Sequence, residues 1–78
     1  MITGSQIRMA RGHLKWSVRE LATKAGLGIS TIQRMEAVDD VPVVSTKNLT
    51  LVQLALEAAG IEFIPENGGG AGVRVGSR

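Results

Sequence analysis

The sequence predicts a mainly α domain in which four helices close on a short C-terminal β-strand or hairpin. Three observations carry this. Two N-terminal capping boxes lie fourteen residues apart, at Thr3 and Ser17. A tight glycine turn at Gly26 joins two short amphipathic runs. The apolar period then changes at Ile61, after a glycine.

The first helix spans about residues 4–13. Thr3-Gly4-Ser5-Gln6 has capping-box spacing, with Thr3 as N-cap and Gln6 reaching back. Ile7, Ala10, Arg11 and Leu14 follow at helical spacing. Ser17-Val18-Arg19-Glu20 is the second capping box. Trp16 before the cap and Leu21 at the fourth helical position form a hydrophobic staple. Helix two covers about 18–25, and Gly26 lies where a left-handed residue ends it. Gly28 serves as the N-cap of helix three, about 29–37, with Ile29, Ile32, Met35 and Glu36 on one side. The acidic segment 37–44 contains Pro42 and reads as a loop. Ser45 caps helix four, about 46–59, which Gly60 terminates. Ile61–Ile64 reads as a strand, residues 65–72 as a turn-rich connection, and Val73-Arg74-Val75 as a returning strand. On this reading residues 1–60 form the main domain and 61–78 a short tail.

Composition narrows the function. The chain has 78 residues and no cysteine, so disulfides and thiolate metal sites are excluded. One core at this size is marginal, which makes oligomerisation a reasonable expectation. No apolar run approaches the roughly 20 residues of a membrane span, and no signal-peptide pattern opens the chain. A soluble, cytoplasmic protein is expected. The net charge of +2 is unevenly divided. Residues 1–34 carry six Lys or Arg against Glu20 alone, a net of +5; residues 35–78 carry three against six acids, a net of −3. A basic half next to an acidic one points to a polyanion.

No catalytic constellation emerges. His13 is the only histidine, and no acidic cluster surrounds it at metal-ligand spacing. Gly68-Gly69-Gly70 lacks the Gly-Lys-Ser/Thr ending of a phosphate loop. Asp39 and Asp40 are adjacent acids in a loop, where solvation is the ordinary state. The expectation is a protein without cofactor, metal or enzymatic activity.

The run WSVRELATKAGLGISTIQRME resembles the phage-repressor helix-turn-helix family, also called Cro-like or XRE. The matching positions are Ser17, Glu20, Leu21, Ala22, Ala25, Gly26, Leu27, Thr31, Ile32 and Glu36. With Arg11 and helix four included, the resemblance covers about residues 4–60. It implies a compact phage-repressor-like domain whose third helix enters the major groove of double-stranded DNA. Ile29, Ser30, Gln33 and Arg34 would then face base edges: Ile29 a thymine methyl, Ser30 and Gln33 as donors or acceptors, and Arg34 a guanine or a phosphate. Ser17, Arg19, Lys24 and Thr31 would contact the backbone, with Arg8 and Lys15 as further candidates. Arg11 and Glu36 would form a structural ion pair. Gly28 and Val18 depart from the family, which often has Ser or Thr at the first position and Gln at the second.

The implied function is a sequence-specific regulator, a repressor acting as a homodimer on an inverted repeat. Ile61, Phe63, Ile64, Val73 and Val75 are the candidate dimer contacts. The alternative is an antitoxin-like or adaptor protein whose strand adds to a protein partner.

Overall fold

The structure, a computed structural model, describes residues 1–65 and 68–76. Four helices come first: α1 Gly4–Leu14, α2 Val18–Ala25, α3 Ile29–Glu36 and α4 Thr46–Ala58. Two strands follow, β1 Ile61–Ile64 and β2 Gly72–Val75. All four helices and the hairpin stand where the sequence predicts them, with ends displaced by one residue where they differ. Glu66 and Asn67 of the predicted connection lie outside the described residues.

Local chemistry explains the helix starts. Thr3 accepts the N–H of Gln6 at 3.1 Å, and the Gln6 side chain accepts the N–H of Thr3 at 2.8 Å. Ser17 and Glu20 exchange the same two bonds at 3.0 and 2.8 Å. Ser45 accepts the N–H of Asn48 at 3.3 Å. The stops differ more. Gly26 ends α2 in the left-handed region at φ 72°, where glycine has no Cβ to clash. Lys15 takes that conformation at the end of α1, φ 58°, without glycine's freedom.

The core is assembled from every element. Ile7 and Ala10 of α1, Leu21 and Ala22 of α2, Ile32 and Met35 of α3, Leu49, Val52 and Leu56 of α4, and Ile61 of β1 are all buried. The helical spacing of these residues is what turns one side of each helix inward. β1 and β2 pair antiparallel, with Ile61 opposite Val75 and Phe63 opposite Val73. Phe63 and Val73 pack on the core. β2 lies against α1, and β1 against α4. The hairpin of residues 61–75 thus packs on the same core as the helices of residues 1–60.

Two long-range features of α1 were not expected. Gln6 is buried, and its Nε2 donates to the carbonyls of Ile64 at 2.9 Å and Gly72 at 2.8 Å. The capping residue therefore also closes the end of the hairpin. Gly4 sits where a Cβ would run into the backbone carbonyl oxygens of Met35 and Val38. That close approach lets the N–H groups of Gly4 and Ser5 donate to the carbonyls of Asp40 at 3.0 Å and Asp39 at 3.4 Å. The acidic loop expected to be merely solvated supplies backbone caps to the first turn of α1.

Candidate nucleic-acid interface

Helix α3 is held from within and open on its outer side. Ile32 and Met35 are fully buried, three residues apart. Ser30, Gln33 and Arg34 are exposed, and their spacing places them on one outward side. Ile29 is half-buried and packs against the core, and Thr31 is half-buried. Of the four expected base-contact positions, three are fully available to a ligand and Ile29 is partly engaged in packing.

The turn before α3 is compact. Leu27 N–H donates to the carbonyl of Ala22 at 2.9 Å. Gly28 is extended and provides no side-chain acceptor to the first turn of α3. Free N–H groups at such a terminus, together with the helix dipole, favour an anion. The small buried side chains of Ala22 and Ala25 let α2 and α3 pack closely.

The four arginines of residues 1–34 divide into two groups. Arg11 makes a two-pronged bond to Glu36, Nε to Oε2 at 2.8 Å and Nη2 to Oε1 at 2.9 Å. Its Nη1 donates to the carbonyl of Trp16 at 3.0 Å. One side chain therefore joins the end of α3 to the residue just before the α2 cap. The Glu36 side chain is 9 % exposed and that of Arg11 25 %. The hydrogen bond to Glu36 raises the proton affinity of Arg11 above the ordinary arginine value; burial opposes this, and the charge of Glu36 adds to it. A raised value means that this stabilisation is present throughout the pH range below the ordinary arginine value and is lost only above it.

Arg8, one turn earlier on α1, donates to the carbonyls of Glu36 and Val38 and pairs with Asp39. It satisfies carbonyls left open at the end of α3. The Arg8 side chain nonetheless remains 38 % exposed. Two of the six cations behind the basic bias are thereby engaged inside the protein. Arg19 and Arg34 belong to the other group: both are exposed, and neither forms an ion pair among the described residues.

The remaining positions sort by environment. Ser17 is exposed, with its oxygen accepting the Glu20 N–H. Lys24 places its ammonium 5.1 Å from the Trp16 ring centre, an attraction between cation and π-face. A shallow cavity of about 240 Å³ adjoins that pair, lined also by Ala55, Ala58 and Ala59. Lys24 thus faces the end of α4 as well as solvent. Trp16 itself is half-buried against the core.

At the hairpin, Ile61 is buried and Phe63, Ile64 and Val73 are half-buried; only Val75 of the five candidate dimer contacts is exposed. Among the described residues no three His, Cys, Asp or Glu side chains converge on a metal position, and no helix is long and apolar enough to cross a membrane.

Sequence reasoning missed the work of Gln6, Gly4 and Arg8. Gly4 carried only a weak signal, in that glycine is a poor helix former and stands inside the first capping box. The chain matches no protein-family model and has no significant match among curated proteins.

Proposed function

We propose that this protein is a sequence-specific DNA-binding transcriptional regulator, a repressor that binds an inverted-repeat operator as a homodimer. The observation that carries the reading is α3 itself: a short helix anchored by Ile32 and Met35 that presents Ser30, Gln33 and Arg34 together to solvent. The resemblance of residues 16–36 to the phage-repressor family supports the same role. A major groove about 12 Å wide admits such a helix. Arg34 and Gln33 read base edges, while Arg19 and the Ser17 hydroxyl hold phosphate. The first turn of α3 lies open to a phosphate as well. Two copies present their α3 helices to successive major grooves about 34–36 Å apart. The partner-binding alternative draws less support, because Ile61, Phe63 and Val73 pack inside the chain.

Fluorescence anisotropy against a DNA fragment from upstream of the protein's own gene tests the reading, with unrelated DNA as competitor and salt as titrant. Binding that resists competition and falls steeply with salt is expected. Arg34→Ala should weaken it about tenfold or more, the worth of a lost bidentate base contact, with unfolding unchanged because Arg34 is exposed. Weak binding that is equal on both DNAs would refute the proposal.

A further inference from the structure

Helix α4 is apolar on two sides. Leu49, Val52 and Leu56 are buried on the inner one. Opposite them lie Lys47, Leu51, Leu54 and Ala58, at successive steps of four, three and four residues. That is the spacing of a coiled-coil seam. Leu54 is 55 % exposed, Lys47 and Ala58 are exposed and Leu51 is half-buried. Leucines in a row on an outer helix side are normally covered, and among the described residues only Trp16 and Lys24 come near this side, at its Ala58 end.

We propose that a second copy of this chain covers it, with the two α4 helices antiparallel about a two-fold axis between Leu51 and Leu54. The stripe is complementary to itself in that arrangement. Leu51 meets the partner's Leu54, and Lys47 meets the partner's Ala58. The small alanine permits close approach, and the Lys47 stem lies across it with the ammonium outside. The ammonium then reaches the partner's Glu57, adjacent to Ala58. Within one chain Lys47 has no ion pair among the described residues, and among those residues the Glu57 carboxylate accepts a bond only from Gln53, at 3.1 Å. A parallel pairing would instead oppose Lys47 to Lys47 and Glu57 to Glu57. Charge thus selects the antiparallel form.

A contact of three helical turns falls at the small end of specific interfaces, below about 1,200 Å². The dimer is therefore weak and concentration-dependent. This places the two-fold contact on α4 rather than on the hairpin. The inference deepens the operator reading, on which it rests for the need of two copies.

Sedimentation velocity of the full chain without DNA, over rising concentration, is the test. The wild-type mass should approach twice the monomer's. Leu54→Glu should weaken association roughly a hundredfold, as an unpaired charge in a closing interface does, with helicity and thermal unfolding of the monomer unchanged. Lys47→Glu should weaken it about threefold, and adding Glu57→Lys should restore it. A wild-type chain that stays monomeric at every concentration overturns the proposal, as does a Leu54→Glu chain that associates like wild type. Arg34→Ala should keep wild-type association while binding DNA about tenfold or more weakly. Dimers without specific DNA binding would therefore sink the operator reading and leave the α4 contact standing.

Discussion

The first turns of α1 and α2 use the same capping chemistry and meet opposite fates. At α1, Thr3 and Gln6 close the box, the loop carbonyls of Asp39 and Asp40 take the next two N–H groups, and the Gln6 amide continues into the hairpin. At α2, Ser17 and Glu20 form the same box, and both residues remain exposed. One helix start is sealed within the protein, and the other is left on the surface beside α3. A capping box thus reports where a helix begins but not what covers it. Covering is decided by partners far along the chain: residues 64 and 72 for Gln6, and 39 and 40 for the first N–H groups.

Substitutions at the two starts should separate sealed from open. The largest effect is expected at Gly4. In Gly4→Ala the new methyl meets two backbone carbonyls, Met35 and Val38, which have no rotamer through which to move aside. A loss of about 3 kcal/mol or more is expected, at the upper end of overpacking costs, measured as a fall in urea midpoint at constant slope. Gly28→Ala, where nothing lies within 4 Å of the added carbon, is the control at the open side and should leave that midpoint nearly unmoved. Equal behaviour of the two variants would contradict the sealed start.

Arg11 comes next, because it is the side chain that ties the sealed region to the open one. Arg11→Ala leaves Glu36, which is nearly enclosed, without its partner and frees the carbonyl of Trp16. Breaking a fully buried pair costs roughly 3–5 kcal/mol. Arg11 is a quarter exposed, so about 2–3 kcal/mol is expected here. DNA affinity should fall with it, since the end of α3 and the entrance to α2 lose their common tether. Loss of stability with intact DNA binding would show that α2 and α3 keep their relation without this tether.

The comparison also shows why the sequence was legible in part. The helices, their caps and the Gly26 turn are decided within four residues, and capping spacing and apolar period expose them directly. The Arg11–Glu36 pair spans 25 residues and came from family resemblance rather than spacing. The hairpin was visible in its change of period, but its inward facing was not, because alternation in a four-residue strand does not say which side meets the core. The charge division overstated the surface. Arg8 counts toward a basic half in the sequence, yet its guanidinium is turned to the carbonyls of Glu36 and Val38. Where a long side chain points depends on what the fold brings near it.

Exchanging amide for carboxylate in the two boxes sharpens the contrast further. Gln6→Glu keeps the acceptor for Thr3 but replaces two N–H bonds with a buried carboxylate facing the carbonyls of Ile64 and Gly72. A loss of about 2 kcal/mol at neutral pH is expected for the unmade bonds. The new carboxyl would have its proton affinity raised in the fold by burial and by those carbonyls. The deficit should therefore be small below the unfolded carboxyl range, near about pH 4, and grow as pH rises through the folded value. Glu20→Gln, the reverse exchange at the exposed box, keeps its acceptor and should change stability by less than about 0.5 kcal/mol. A pH-independent Gln6→Glu deficit would mean that the side chain had left its buried position.

The smallest expected effect lies between the two starts, at the connection that separates them. Lys15 ends α1 in the left-handed region, where a Cβ crowds the following carbonyl. Gly26 ends α2 in nearly the same conformation without that crowding. The exposed Lys15 side chain forms no ion pair among the described residues, so little is lost with it. Lys15→Gly should relieve strain and loosen the unfolded chain at once, two effects of opposite sign. Relief of about 1 kcal/mol or more exceeds the added chain entropy at a left-handed position, so a net gain of about 0.5 kcal/mol is expected in the urea midpoint. The gain should appear without change in DNA affinity, because the substitution alters the joint and not the surfaces beside it. If affinity fell as well, Lys15 would belong with Arg19 and Arg34 on the open side, and the boundary between sealed and open would move back to the end of α1.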